Sequence, residues 1–148
     1  AYLYDYAGQP WRTQERLKQI MDSQYAARVD GLAGNDDLGQ MSAWFVFTAL
    51  GFYPVAPASN EYVIGRPFLN RVAMNLPNGK RFTTIADKLD DARPYIASVT
   101  LNGNPLTRSF IRHDEIMAGG ELHFTMQAEP NKDWAFNREA RPYSMTAH

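Results

Sequence analysis

Between Met41 and Leu50 the chain places Met41, Ala43, Trp44, Phe45, Val46, Phe47, Ala49 and Leu50, leaving almost no polar face. A helix that is apolar all round must be covered all round. The stretch from about Gly39 or Gln40 to Leu50 is therefore predicted to be a short, fully buried helix. That favours a large multi-helix architecture over a two-helix hairpin. Gly51 stands where a left-handed C-terminal residue belongs, with Phe52 and Pro54 beyond it.

The chain changes character near Pro54. Before it, the apolar spacing is helical. Leu17, Ile20, Met21 and Tyr25 fall on one face of a predicted helix from about Thr13 to Tyr25. After it, short strands and turns dominate. Strands are predicted over Glu61–Ile64, Arg71–Leu76, Arg81–Ile85, Tyr95–Leu101, Ser109–Ile111 and Glu121–Gln127, the last with Leu122, Phe124 and Met126 on one side. Pro77-Asn78-Gly79-Lys80 is a turn, and His113–Met117 reads as one helical turn. The fold class is α+β, with the strands forming a small antiparallel sheet or sandwich and the tail after Pro130 irregular.

The segment that carries chemistry is Asp30-Gly31-Leu32-Ala33-Gly34-Asn35-Asp36-Asp37-Leu38-Gly39-Gln40, immediately before the apolar helix. Three readings of it stand open. An Asp or Asn there caps the helix and suits the positive end of its dipole. Oxygen ligands in a glycine-rich loop suit calcium, although the spacing of an EF-hand is absent. Neighbouring carboxylates also repel, which raises the proton affinity of one and makes it a base able to activate water.

Composition narrows the function classes. The 148 residues suit one domain or part of a larger one. A formal net charge of -1 from 15 basic and 16 acidic residues, with no basic run, lacks the footprint of a nucleic-acid binder. No apolar stretch approaches the roughly 18 residues of a membrane span. With no cysteine, disulfides and thiolate metal sites are excluded.

Gly31-Leu32-x-Gly34-Asn35-Asp36-Asp37-x-Gly39-Gln40-Met41-Ser42-Ala43-Trp44, followed by Ala49-Leu50-Gly51-Phe52-Tyr53-Pro54-Val55, resembles the signature of family 92 glycoside hydrolases. Tyr2-Leu3-Tyr4-Asp5-Tyr6-Ala7-Gly8, Pro10-Trp11-Arg12-Thr13-Gln14, Glu61-Tyr62-Val63-Ile64-Gly65, Leu101-Asn102-Gly103 and Ile116-Met117-x-Gly119-Gly120 are similar too. The resemblance covers nearly the whole chain and weakens after Trp134. It implies a calcium-dependent exo-α-mannosidase that inverts the anomeric centre. Residues 1–55 would then supply the last helices of an (α/α)6 catalytic barrel and its active-site loop. Residues 56–148 would be a β-rich region packed on that barrel.

The resemblance further implies that Asp37 is the general base, with Asp36 as the second choice. Asn35 would orient water or substrate, since an amide cannot take the proton. The general acid, a Glu, and the calcium ligands are expected upstream of Ala1, so the chain alone would be an incomplete catalytic unit. No metal ligand is assigned inside it. The expected partners are an α-mannoside oligosaccharide, from N-glycans or mannans, and the N-terminal remainder of the same enzyme. Secretion or a periplasmic location is expected by analogy.

Other residues carry two readings each. Gln40 either touches substrate or caps its own helix. Trp11 either stacks on a sugar face or packs under the loop. Trp44 reads as core. His113, with Asp114 and Glu115, reads as a solvated turn rather than a metal cluster, His123 lies on the polar face of a strand, and His148 is terminal. The rival from another class is a non-catalytic carbohydrate-binding or structural β module. The uniformly apolar helix argues against it, because a small module cannot cover that surface.

Overall fold

The computed structural model describes residues 1–56 and 58–145; His148 lies outside them. A single turn, α1 (Leu3–Tyr6), leads into α2 (Pro10–Gln24). Pro10 takes the first helical position, where its fixed φ suits a helix and its missing N–H is no loss. The helix therefore starts at Pro10 rather than Thr13. It stops at Gln24 because Tyr25 is extended (φ −128°, ψ 135°) and bridges Leu32. A 3-10 turn (Asp37–Gly39) then introduces α3 (Gln40–Leu50).

Gly51 ends α3 at φ 99°, as its place in the sequence requires. A Cβ there would also lie 2.9 Å from the Phe124 ring, so no larger residue fits. Eight strands follow among the described residues: β1 (Phe52–Tyr53), β2 (Glu61–Ile64), β3 (Arg71–Asn75), β4 (Arg81–Asp87), β5 (Tyr95–Leu101), β6 (Asn104–Pro105), β7 (Phe110–Arg112) and β8 (Gly120–Gln127). The helical turn α4 (His113–Met117) separates β7 from β8. After β8 only a 3-10 turn, Arg138–Ala140, is regular among the described residues.

The strands form a three-stranded sheet, β1-β2-β7, and a five-stranded sheet, β3-β4-β8-β5-β6. All pairs are antiparallel except β4–β8. That one parallel pair arises because β8 inserts between β4 and β5 while running antiparallel to β5. The core lies on one face of this sheet, where Phe82, Ile96, Val99, Leu122, Phe124 and Met126 meet Phe52, Ile64 and Ile111. Leu122, Phe124 and Met126 are all buried, as the alternation in β8 predicts. Trp134 closes the core, its indole N–H donating to the Leu106 carbonyl at 2.9 Å.

The apolar helix departs from its expected burial. Only Thr48, Ala49 and Leu50 of α3 are buried, while Phe45 is 38% and Val46 56% exposed. The last turn packs on β1 and the aromatic set of Phe47, Phe52, Tyr53 and Tyr62. Trp44 is half-buried, stacked on Tyr25 with ring centroids 5.7 Å apart. Tyr25 reaches Phe45 at 5.1 Å between ring centroids, yet Phe45 and Val46 stay exposed among the described residues.

Two buried polar residues, Thr13 and Gln14, fix α2 in place. The Gln14 side-chain carbonyl accepts the Ile96 N–H at 2.9 Å. This happens where β5 slips register against β8, between Ile96 and Ser98, so the sheet ladder is interrupted there. The Thr13 hydroxyl donates to Asp5, a fully buried carboxyl in α1 whose other oxygen has no hydrogen-bond partner among the described residues. Burial pushes the Asp5 carboxyl from 3.8 up to about 8, against the opposing Thr13 bond.

Gln14→Ala leaves the Ile96 N–H buried without an acceptor and is expected to cost about 1–3 kcal/mol. The measurement is a lower urea midpoint at unchanged slope. Asp5 has the opposite sign from an ordinary ion-paired aspartate. Its folded-state value is raised, so its stabilising contribution is complete below 3.8 and is lost as pH rises through about 8. Asp5→Asn, neutral at every pH, is expected to flatten the fall of unfolding free energy across that window, measured by urea titrations at a series of pH values.

Candidate active site

The acidic loop is built from the end of α2. The Ala26 N–H donates to the Gly31 carbonyl at 2.8 Å and the Ala33 N–H to the Gln24 carbonyl at 3.1 Å, closing a tight turn. Gly31 is obligatory here, since a Cβ would sit 1.9 Å from the Ala26 carbonyl oxygen. The chain then emerges to the surface, and Asn35, Asp36, Asp37, Leu38 and Gln40 are all exposed.

The two adjacent carboxylates have different fates. Asp36 accepts the Ser42 backbone N–H at 3.0 Å on one oxygen and the Ser42 hydroxyl at 2.5 Å on the other. Ser42 is the third residue of α3, so its N–H has no acceptor within the helix. Capping is thus the work of Asp36. The Ser42 hydroxyl, and then its backbone N–H, hold the Asp36 carboxyl below the ordinary carboxylate value. The expected rise in proton affinity through neighbour repulsion is therefore not found at Asp36; the Ser42 donors act the other way.

Asp37 opens the 3-10 turn, and its carboxylate has no hydrogen bond or ion pair among the described residues. Leu38 (φ 54°, ψ 22°) and Gly39 (φ 76°, ψ 18°) follow in succession in the left-handed region. Glycine adopts that conformation freely, whereas leucine does so at a cost of roughly 1–2 kcal/mol. The chain reverses through these two residues so that Asp36 meets the start of α3 with Asp37 between them. The side chains of Asn35 and Gln40 are likewise unpartnered among the described residues. Gln40 opens α3 without capping it.

Beside this loop an apolar groove of about 520 Å³ runs between the end of α2 and α3, lined by residues including Met21, Tyr25, Leu32, Ser42, Phe45 and Val46. Ser42 belongs both to that lining and to the Asp36 contact. The Tyr25 hydroxyl donates to the Met41 carbonyl at 3.2 Å; burial first, and the Asp36 charge second, raise it above its ordinary value.

Trp11 is not brought to this loop. It sits at the opposite end of the 15-residue α2, about 20 Å away at the helical rise of about 1.5 Å per residue. The Arg12 guanidinium, at 4.9 Å, and the Lys132 ammonium, at 5.3 Å, lie over its ring. His113 shares a hydrogen bond of 3.1 Å with the Tyr62 hydroxyl, and His123 Nε2 lies 2.8 Å from Asp87. No group of three or more His, Cys, Asp or Glu side chains able to hold a metal occurs among the described residues.

Sequence reasoning missed Ser42. Its signal was a serine at the third position of a helix preceded by an acidic loop, a place where serine satisfies a carboxylate as readily as it faces solvent. It also missed the pairing of Asp5 with Thr13. Burial of a lone aspartate is not visible in an aromatic, exposed-looking opening.

Comparison with known proteins places the chain in context. Residues 1–128 match the profile described as the glycosyl hydrolase family 92 catalytic domain. An uncharacterized secreted glycosidase of Arthroderma benhamiae is 32% identical, over 99% of this chain and 19% of the relative. The structure of a family 92 inverting mannosidase from Bacteroides thetaiotaomicron is 46% identical, with a TM-score of 0.90 over 97% of this chain and 19% of that one. A family 92 α-mannosidase from the same organism, solved in complex with mannoimidazole, is 40% identical with a TM-score of 0.93 over the same shares. The chain thus spans 19% of the length of each of these relatives.

Proposed function

Because the chain belongs to glycosyl hydrolase family 92, we propose that it is part of an α-mannosidase that removes terminal α-linked mannose with inversion. The observation that carries this reading is the unpaired Asp37 carboxylate next to Asp36, whose own oxygens are both occupied. Of the two, only Asp37 has no donor already bound to its carboxylate among the described residues, which leaves it the better placed to accept a proton from water. It takes a proton from water while the water oxygen attacks the mannosyl C1 from the face opposite the leaving group. The C1–O bond breaks, and the leaving oxygen takes a proton from a carboxylic acid outside this chain. The two carboxyl groups stand roughly 6.5–9.5 Å apart, so that the water fits between them. Asn35 and Gln40 flank the base with unpartnered amides suited to sugar hydroxyls. The inverting mannosidase and the mannoimidazole complex among the relatives support both the substrate class and the stereochemistry.

Calcium is proposed for the whole protein by family resemblance. The described residues do not fit such an ion by themselves. Calcium takes six to eight oxygens, and the loop's free donors are Asn35, Asp37 and Gln40, the Asp36 oxygens being held by Ser42. The proposal therefore puts the calcium ligands mostly outside this chain and assigns none within it. We further propose that α2 and α3 are late helices of an (α/α)6 barrel, with residues 56–148 packed against it. The remaining helices would cover the apolar faces that α3 exposes here. The fungal relative's description supports export, and no helix among the described residues is long and apolar enough to cross a membrane.

In the complete enzyme, Asp37→Asn is expected to lower kcat on an α-mannoside by about 10²–10⁴-fold, the usual worth of a general base. Steady-state kinetics measures this, and persistence of wild-type turnover would remove Asp37 from the role. Proton NMR of the wild-type reaction should show β-mannose as the first-formed anomer. Chelation of divalent cations should abolish turnover, and added calcium should restore it.

A further inference from the structure

We infer that Ser42 and Asp36 form a positioning clamp that holds the general base in place, and that Asp36 is not itself a base; this rests on the reading of Asp37 as the base. The clamp is a closed ring of contacts around Asp37. On one side the Asp36 carboxylate is fastened to the Ser42 N–H at 3.0 Å and to its hydroxyl at 2.5 Å. On the other, the Asp36 carbonyl accepts the Gly39 N–H at 3.0 Å, and the Asp37 carbonyl accepts the Gln40 N–H. Asp37 lies on the short span that these bonds enclose.

The left-handed pair Leu38 and Gly39 gives the clamp its shape. A leucine at φ 54° is held in a disfavoured conformation only when its surroundings fix it. Its own side chain supplies no such hold, being fully exposed at 108%. The hold comes from the bonds on either side of it. Backbone at Leu38 and carboxylate at Asp36 therefore act together to fix the direction in which the chain presents Asp37.

Both oxygens of Asp36 face donors that favour its charged form. A carboxylate held in that way is a poor acceptor for a proton from water. The two adjacent acids thus divide the labour, one anchoring the helix start and the other left for chemistry. A plain helix cap would account for the Ser42 bonds but not for a left-handed leucine between cap and helix.

The test uses the complete enzyme, since the loop's chemistry needs the rest of the protein. Ser42→Ala is expected to lower kcat on an α-mannoside roughly 10–100-fold through misplacement of the base, with KM little changed. Ser42→Thr, which keeps both donors, is expected to restore most of that loss. Asp36→Asn should lower kcat in the same way. Should Ser42→Ala fail to fold, Asp36→Asn carries the same reading.

Azide separates the two carboxylates, because it attacks C1 without surrendering a proton. Asp37→Ala with azide should regain turnover and yield β-mannosyl azide, whereas Asp36→Ala with azide should not. If Ser42→Ala keeps wild-type kcat and pH profile while Asp37→Ala is inactive, the clamp is overturned and the base stands. If azide rescues Asp36→Ala instead, Asp36 is the base and the clamp is overturned. If Asp37→Ala retains full turnover without azide, the base assignment falls and the clamp falls with it.

Discussion

The hydrogen bond from the Ile96 N–H to the Gln14 side chain joins the helical part of the chain to the five-stranded sheet, and much else follows from it. Both partners are buried, so neither can fall back on water, and loss of either leaves the other unpaired in an apolar setting. The bond sits where β5 and β8 slip register, a point at which the ladder supplies no acceptor. One face of α2 is thereby set against β5. Leu17 then packs with Tyr2 and Val63, and the Tyr2 hydroxyl shares a hydrogen bond of 3.0 Å with Thr48 of α3. A chain of buried polar contacts, Asp5 to Thr13, Gln14 to Ile96 and Tyr2 to Thr48, thus orients three helices on a β core. Apolar burial supplies the bulk of the stabilisation, while these directional bonds select one arrangement among many that bury similar area.

The acidic loop inherits its position from that frame. Tyr25 follows α2, pairs its backbone with Leu32, stacks on Trp44 and donates its hydroxyl to the Met41 carbonyl, so both ends of the loop are fastened to one residue. Gly31 closes the turn that no other residue can close. Under the proposed function, capping and catalysis compete within this fixed span for the same chemical groups. A helix start attracts carboxylates for stability, and the same dipole holds a carboxylate charged. Two neighbouring aspartates resolve the competition, since Asp36 satisfies the helix and leaves Asp37 unpartnered.

Much of the fold was legible because local rules and tertiary structure agree. Pro10, Gly51 and the Asn78-Gly79 turn act through backbone geometry, which is set by the residues themselves. The alternation in β8 was readable because one face of its sheet is buried. The parallel pairing of β4 with β8 was not, because insertion of a late strand between two earlier ones leaves no local trace. The candidate site was legible only as a loop dense in Gly, Asn and Asp. Which aspartate was free was not legible, since that depends on Ser42 being turned back toward Asp36. Trp11 misleads for a related reason: aromatic residues near a motif in sequence are separated in space by the whole length of a helix.

The expectation that α3 is buried on every side, which favours a larger multi-helix architecture, is met within the described residues only at Thr48, Ala49 and Leu50. An all-apolar helix states what must surround it, not which residues do so. Leaving Phe45 and Val46 open to water forgoes about 25 cal/mol for each Å² of apolar surface left uncovered. The same uncovered face borders the groove that Ser42 lines, so the part of α3 awaiting cover is the part that anchors Asp36. Under the proposed function, packing of further helices against Phe45 and Val46 would rigidify the first turns of α3 and thereby the Ser42 donors. On that proposal, folding of the remaining protein and alignment of the base would be one event.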